Sequence, residues 1–397
     1  MEITVEKINE RNDPYQLFLD SIKNKNTARR YKNLLQSFLK LIPDQMYQDT
    51  LNKIPENRER QTLTRFFVDL AKKDSEIASN IIAAYIKEDK RRVEAGELSP
   101  QTLPNHIKPI KVLLDSNRIP LHWKSLTNLF PRTERGSNDR AYTKEEIQKM
   151  LEVSRDITDK VIILLFSSAG FRLEAWDYFT WKDIIFFKNN DGSFKGAALL
   201  IYRGDPESYW TFVTPETCQA LEIYRESWKA DIGRYPKTDE PLVKSVKFPV
   251  IHRLNQKGVR KRVEKIVKEI GLRPPLPPNK RRHEVKLDHG FRKYFNTMLR
   301  RAKVDYLDKE DMMGHKVGLE RHYERYNEED FERFPEYEKA IPFLTISESE
   351  ELKLENQRLK KEKTELQQLQ EELKNTITRV NELYADKQRM ENFNKSS

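Results

Sequence analysis

No apolar run in this chain is longer than six residues, and one such run, Val161 to Phe166, ends shortly before Gly170. A membrane-spanning helix needs roughly 20 apolar residues in succession, so we expect none and interpret this run as a buried helix. Charged residues make up 34% of the chain and hydrophobic residues 37%, which predicts small cores beneath large polar surfaces. The opening residues Met1 to Glu6 hold no apolar stretch behind a basic one, so no secretory signal is predicted.

The formal charge of +10 is unevenly distributed along the chain. Between His252 and Lys286, twelve Lys or Arg residues stand against three Glu residues. Such a field attracts a polyanion, whose counterions are released on binding. A solvated, lysine-rich surface is the alternative interpretation, so the charge suggests a nucleic-acid partner but does not prove one.

Cysteine and metal-ligand patterns exclude several classes of protein. The single cysteine, Cys218, rules out an internal disulfide, and a reducing, cytoplasmic location fits best. The chain has no C-x-x-C motif, and neither His283 nor His289 stands beside a ligand set arranged for zinc. No phosphate-binding glycine loop occurs among the 12 glycines. We therefore predict no bound metal and no cofactor.

Hydrophobic periodicity divides the chain into domains. Residues 1–13 are interpreted as a flexible polar leader, and helical spacing of apolar residues predicts an all-helical domain over residues 14–124. Residues 125–141 lack periodicity and are interpreted as a basic linker. A capping box at Thr143 to Glu146 then opens a second domain, which we place at residues 142–345.

The second domain combines helices with a few strands. Three β-prone segments, Ile184 to Phe187, Ala197 to Tyr202 and Tyr209 to Val213, are separated by turn residues and predict a small antiparallel sheet. Helical patterns precede and follow them. The predicted fold class is therefore mainly α, in the α+β sense, with one small sheet in the second domain.

The last segment, residues 346–397, has its own composition. Apolar residues recur every seven positions on a background of Glu, Lys and Gln without Gly or Pro, at Leu352, Leu359, Leu366, Leu373 and Val380. This repeat is typical of a coiled-coil seam. The alternative is a solitary solvated helix, because polar residues interrupt the second seam position. A coiled-coil tail would support self-association.

Three separated boxes carry the residues suited to chemistry. Ser168-Ala-Gly-Phe-Arg172 follows the buried helix, and Asp288-His289-Gly-Phe-Arg292 opens a later one. Met313-Gly-His315 comes next, and Tyr323 follows it by eight residues. Each of these side chains taken singly has a structural explanation, such as a surface ion pair or a packed ring. Their joint occurrence in this order points to a site.

This arrangement resembles the tyrosine recombinase, or phage integrase, family over residues 143–323. The family has a Gly-x-Arg box after an apolar helix, a small sheet that holds a lysine, an H-x-x-R box, a Gly-His box and then a tyrosine. The resemblance implies a helical core-binding domain and a mainly helical catalytic domain that together enclose double-stranded DNA. It also implies a tetramer on DNA, in which the segment Phe331 to Phe343 passes to a neighbouring protomer, and a nucleoid-associated location.

The resemblance assigns a role to each matching residue. Arg172 and Arg292 would clamp the phosphate, because guanidinium stays charged and offers a planar fork to oxygens. Tyr323 would attack phosphorus to give a 3′-phosphotyrosine, which stores the bond energy so that rejoining needs neither ATP nor metal. His289 would accept the phenolic proton or hydrogen-bond the phosphate, and His315 would donate to a nonbridging oxygen. Tyr326 is the alternative nucleophile.

The chain departs from the family at two places. Arg203 stands where the family has a hairpin lysine as general acid, and arginine is a poor proton donor because its pKa exceeds about 12. Lys195 is the other candidate for that role. Ala175 stands where the family has an acidic residue, and Glu174 and Asp177 flank it. Which of these acids braces the pocket stays open.

Two other functions fit parts of the pattern. A type IB topoisomerase shares the tyrosine chemistry but acts alone. A DNA-binding architectural protein with a degenerate active site would explain the missing hairpin lysine. Strand exchange between two duplexes would indicate a recombinase, simple relaxation a topoisomerase, and binding without cleavage an architectural protein.

Overall fold

The computed structural model describes residues 13–132, 139–245, 250–276, 283–315 and 331–395. The chain divides into two compact units, Met1–Gly136 and Ser137–Ser397. Tyr323 and Tyr326 lie outside the described residues. Over the described ranges, no helix has both the length and the apolar character needed to cross a membrane.

The first unit is all helical, as the periodicity predicts. Its α-helices are α1 Pro14–Asp20, α2 Lys25–Lys40, α3 Asp44–Leu51, α4 Arg60–Lys73, α5 Ser75–Glu94, α6 Leu103–Ser116 and α7 Trp123–Thr127. Asp13 caps α1 by accepting a hydrogen bond from the Tyr15 backbone N–H. The core includes Phe38, Phe67, Ile82 and Leu113, all essentially inaccessible to solvent.

Two helices of this unit depend on contacts with residues far away in the sequence. Helix α5 continues through the polar run from Lys87 to Arg92, because Asp89 within it is buried and accepts hydrogen bonds from Arg92 and His106. Helix α7 extends into the stretch interpreted as a linker, over residues 125–127, and its Leu126 is buried in the core of the first unit.

The second unit surrounds a three-stranded sheet with helices. Its elements are α8 Lys144–Val153, α9 Ile157–Ala169, β1 Ile184–Lys188, β2 Phe194–Ile201, β3 Tyr209–Val213, α10 Pro215–Ile232, α11 Gln256–Glu269, α12 His289–Arg301, α13 Tyr306–Met312, α14 Phe334–Glu338, α15 Ile341–Leu344 and α16 Glu348–Lys395. The predicted capping box at Thr143 is present. Together the two units confirm the predicted mainly α, α+β class.

The sheet is antiparallel in the order β1-β2-β3. Leu199 in the central strand pairs with Ile184 on one side and Thr211 on the other. The side chains of Leu199 and Thr211 are fully buried. The three predicted strands are therefore confirmed, and the connection between β2 and β3 forms the hairpin at residues 202–208.

Helix α9 ends deep inside the second unit, which leaves its last carbonyl groups without partners in the helix. Side chains from elsewhere take these groups: Tyr337 Oη donates to Ser168 O over 2.8 Å, and Thr211 Oγ1 donates to Ala169 O over 3.2 Å. Gly170 ends the helix in the left-handed conformation, at φ +59°. A Cβ at this position would lie 2.2 Å from the Phe295 ring.

The segment that follows residue 330 packs on its own unit. Phe334, Tyr337 and Ile346 are buried in the core of the second unit. The Glu216 carboxylate accepts hydrogen bonds from the backbone N–H groups of Ile346 and Ser347, at 2.8 and 2.9 Å. This segment, which the resemblance predicts to reach a neighbour, therefore lies in the core of its own chain.

Helix α16 is 48 residues long. The five seam residues named from the sequence are exposed, by 44–63%. In the single chain this row of apolar side chains is exposed to solvent, as expected for either a solitary helix or half of a coiled coil.

Replacing Gly170 with alanine should lower the free energy of unfolding by about 3 kcal/mol. A left-handed non-glycine residue costs roughly 1–2 kcal/mol, and forcing a methyl against a packed ring adds a further ~1–3 kcal/mol. Gly233 provides the control, since it also ends a helix at positive φ but has open space around its Cα. Urea unfolding of Gly170→Ala and Gly233→Ala should therefore differ; equal losses would show that contact with Phe295 contributes nothing.

Candidate active site

One buried side chain joins the three boxes. The Arg292 side chain, on α12, donates from Nη1 to Gly170 O over 2.7 Å and from Nη2 to Met313 O over 2.5 Å. Its Nη2 also lies 2.8 Å from Nε2 of His315. Arg292 is 6% exposed. The predicted convergence of Arg292 with the other two boxes is therefore present in the structure.

The hydrogen bonds of His315 define its protonation state. A guanidinium can only donate, so Nε2 of His315 must accept from Arg292. The remaining ring proton is then on Nδ1, which donates to the Glu310 carboxylate over 2.5 Å. In this arrangement the imidazole is neutral, and it turns an acceptor toward the guanidinium. The predicted donation from His315 to a phosphate oxygen would require this proton arrangement to change when DNA binds.

Glu310 is held in its ionised form beside His315. Burial favours the neutral carboxyl, but hydrogen bonds from Lys309 and His315 outweigh it, and the pKa of Glu310 lies below its usual value. Gly314 places His315 by ending the turn after α13 at φ +63°. A side chain at Gly314 would collide with the Tyr209 ring, at 2.3 Å.

Arg172 lies near Arg292 and has no ion-pair partner among the residues that the structure describes. It is partly buried at the start of the turn that follows Gly170. Within the described part of the chain its guanidinium makes no hydrogen bond or ion pair. Burial lowers the pKa of Arg292, and the positive charge of Arg172 lowers it further. Two neighbouring cations without a carboxylate between them form a site suited to an anion.

Neither flanking acid is paired with Arg172. Asp177 instead binds the first turn of α11, accepting from the Gln256 backbone N–H at 2.8 Å and from its Nε2 at 2.6 Å. Glu174 is exposed. Ala175, at the position where an acid was expected, is fully buried.

His289 is the first residue of α12, three positions before Arg292. That spacing places the two on the same side of the helix. His289 is exposed and makes no hydrogen bond to any residue that the structure describes. Its ring is therefore available to a ligand.

The two hairpin candidates are occupied by other contacts. Arg203 forms an ion pair with the buried Asp183 and donates to Lys182 O over 3.0 Å. Lys195 lies 2.9 Å from Glu338 and over the Phe334 ring. Both cations are therefore tied to groups outside the cluster around Arg292.

Two tyrosines that the sequence analysis did not single out border the arginines. Tyr209, 4% exposed, lies against Arg292, and its hydroxyl has no hydrogen-bond partner of normal geometry within the described ranges. Tyr202 packs beside it, with ring centroids 6.4 Å apart. Both tyrosines stand at the ends of the β2–β3 hairpin, next to Arg203, and this position in the sequence could have marked them as candidates for the site. Among the described residues, no group of three or more potential ligands could hold a metal ion.

No family model matches this chain, and no curated protein does. Solved structures of recombinases and integrases do align with it. The alignment with XerA recombinase covers 88% of this chain and 99% of that one, at 14% identity and a TM-score of 0.35. The alignment with a lambda integrase dimer bound to a COC′ core site covers 80% and 95%, at 14% identity and a TM-score of 0.47. For the Tn1549 transposon integrase in complex with transposon right end DNA, the values are 79% and 98%, 14% identity and 0.40.

Arg292→Lys should lower the free energy of unfolding by about 3 kcal/mol, because one ammonium group cannot serve Gly170 O, Met313 O and His315 together. Arg172→Lys should change it by less than about 0.5 kcal/mol, since Arg172 has no such partners among the described residues. Urea unfolding measures both. Similar losses in the two variants would mean that Arg292 does not hold the boxes together.

Proposed function

We propose that this protein is a site-specific DNA recombinase that cleaves and rejoins duplex DNA through a 3′-phosphotyrosine, without metal or ATP. The observation that supports it most directly is the pair formed by Arg172 and Arg292. The Arg292 guanidinium is held by hydrogen bonds to protein groups, whereas that of Arg172 makes none to the residues that the structure describes. This is the arrangement expected of a phosphate clamp.

The positive charges of Arg172 and Arg292 suit them to stabilise the transition state of phosphodiester cleavage. As a nucleophile attacks a phosphodiester, negative charge grows on the nonbridging oxygens, and preorganised cations stabilise it. We assign the attack to Tyr323, eight residues beyond His315. His289, whose ring has no partner in the described structure, is suited to accept the phenolic proton. The phosphotyrosine then reacts with a 5′-hydroxyl to restore the backbone.

The surface near Arg172 supports a DNA partner. Helix α11 packs against the turn Leu173–Asp177 that follows Arg172. Four of its basic side chains are exposed and form no ion pair with the described residues: Lys257, Arg260, Lys261 and Lys265. Cations in such a row can bind successive phosphates on a duplex. We accordingly propose double-stranded DNA as the substrate and a nucleoid-associated location.

Two alternatives share parts of this evidence. A type IB topoisomerase would form the same covalent intermediate, but would relax one duplex without exchanging strands with another. A DNA-binding architectural protein would bind and never cleave. Cleavage separates catalysis from the architectural alternative, since Arg172, which has no ion-pair partner among the described residues, would bind a DNA phosphate in either case.

Covalent capture tests the proposal. Duplexes tiled across the DNA that flanks the gene, each nicked so that the cleaved end diffuses away, should trap the protein on the duplex that carries its site. We expect an adduct stable to denaturing gel electrophoresis with the wild type and with Tyr326→Phe, but none with Tyr323→Phe. EDTA should leave the yield unchanged. An adduct that survives Tyr323→Phe would refute the assignment of the nucleophile.

Arg172→Lys is the matched control in the same assay. It should fold normally and yet slow adduct formation about 100-fold or more, because an ammonium cannot reproduce the forked contact with phosphate. Failure of the wild type to form any adduct while it still binds DNA would favour the architectural alternative. Relaxation of supercoiled DNA without strand exchange would favour the topoisomerase.

We also propose that α16 supports assembly, by pairing with α16 of a second copy and so favouring a tetramer on DNA. Removing residues 354–397 retains the contacts of Glu350 with Gln219 and of Glu351 with Lys144, and so preserves the catalytic unit. This truncation should lower the sedimentation-equilibrium mass toward that of the monomer. Leu366→Glu with Leu373→Glu should act similarly, and the exposed Glu371→Gln should not. An unchanged mass in the truncated protein would exclude this role.

A further inference from the structure

The β2–β3 hairpin places Tyr202 beside Tyr209, which itself lies against Arg292. Tyr202 follows β2 in the left-handed backbone conformation, at φ +57°, which is unfavourable for an aromatic residue. Its ring packs between Tyr178 and Tyr209, with centroid separations of 5.2 and 6.4 Å. A strained backbone conformation that persists in a well-packed setting often marks a functional position.

The hydroxyl of Tyr202 is free to meet a ligand. The residue is 8% exposed, yet its hydroxyl forms no hydrogen bond with any part of the chain that the structure describes. Burial is the main cause that raises the pKa of Tyr202 to about 12, and electrostatic interactions with Tyr209 and Glu174 add to it. The positive charges of Arg172 and Arg292 act in the opposite direction. The phenol therefore stays protonated at neutral pH and lies within the field of both arginines.

The proposed reaction needs a proton donor that is still unassigned. When the bond from phosphorus to the 5′-oxygen breaks, the oxygen leaves as an alkoxide, whose conjugate acid is about as weak as water, with a pKa of roughly 15.7. Arg203 is paired with Asp183 and Lys195 with Glu338. The Tyr209 hydroxyl is buried against Arg292. Tyr202 remains as the hairpin group that is both protonated and accessible.

We propose, on the basis of the function proposed above, that Tyr202 is the general acid that protonates the leaving 5′-oxygen. As Tyr323 Oη bonds to phosphorus and the bond to the 5′-oxygen breaks, the Tyr202 proton moves to that oxygen. Tyr202 is left as a phenolate whose charge is stabilised by the nearby guanidinium groups of Arg172 and Arg292. In rejoining, the attacking 5′-hydroxyl returns its proton to this phenolate as the bond from phosphorus to Tyr323 breaks. No oxidant, metal or co-reactant is required.

The arginines therefore have a second task in this scheme. They stabilise the Tyr202 phenolate as well as the phosphate, which makes a phenol of high pKa an adequate donor. The phenol is a far stronger acid than the alcohol it protonates, by roughly 3–4 pKa units. In this scheme Arg203 is not required to donate a proton. Its ion pair with Asp183 holds the hairpin in place.

A sulfur-substituted substrate tests this role directly. The probe is the tiled, nicked duplex that gives an adduct with the wild type, made with either oxygen or sulfur at the bridging 5′ position. A thiolate leaves without protonation, since thiols have a pKa of about 8.5. Loss of a general acid should therefore slow the oxygen substrate, by about 100-fold or more, and leave the sulfur substrate nearly as fast as with the wild type.

Tyr202→Phe keeps the ring packing and removes only the hydroxyl. We expect it to be slow on oxygen and restored on sulfur, whereas Tyr178→Phe should behave as the wild type on both. Equal slowing of Tyr202→Phe on both substrates would reduce the residue to a structural role and overturn the inference. Sulfur rescue of Arg203→Gln or Lys195→Gln in place of Tyr202→Phe would also overturn it. No wild-type adduct on either substrate would instead refute the proposed function, and this inference with it.

Discussion

The packing of the second unit depends on the hydrogen bonds made to the backbone carbonyl groups at the buried end of α9. A helix that stops inside a protein leaves carbonyl groups that must find donors, because an unpaired buried carbonyl costs about 1–3 kcal/mol. Here the donors are Tyr337, Thr211 and Arg292, one each for Ser168, Ala169 and Gly170. They come from α14, β3 and α12. Satisfying this one helix end therefore brings the sheet, the second box and the segment after residue 330 to the same point.

The two arginines of the boxes, Arg172 and Arg292, have different roles in the structure. Arg292 is committed to protein oxygens and to His315, so its geometry is set before any substrate arrives. Arg172 makes no such commitment in the described structure. A preorganised cation costs no reorganisation at the moment of reaction, and an uncommitted one retains all its donors for the substrate. The two arginines of the boxes thus differ in kind, although the sequence shows them as equivalent.

Much of this could be predicted from sequence because the signals are local. β-prone segments bounded by turn residues define the three strands, Thr143 and Glu146 define a helix start, and the order of the boxes predicts that Arg292 lies near Gly170 and His315. Partners far apart in sequence could not be predicted. Asp183, which takes Arg203 away from the site, lies 20 residues before it. The extension of α5 past Lys87 likewise depends on a contact between Asp89 and His106, which belongs to another helix.

The hydrogen bonds that Glu216 accepts from the backbone just before α16 have a mechanical consequence. They hold the backbone at Ile346 and Ser347, and α16 begins at the next residue. The first turn of that helix is held again through Gln219 and Lys144. At about 1.5 Å per residue, 48 residues make a rod about 72 Å long. Because the described contacts leave no hinge between this rod and the second unit, a force that bends the rod would be transmitted to the unit that carries Arg172 and Arg292.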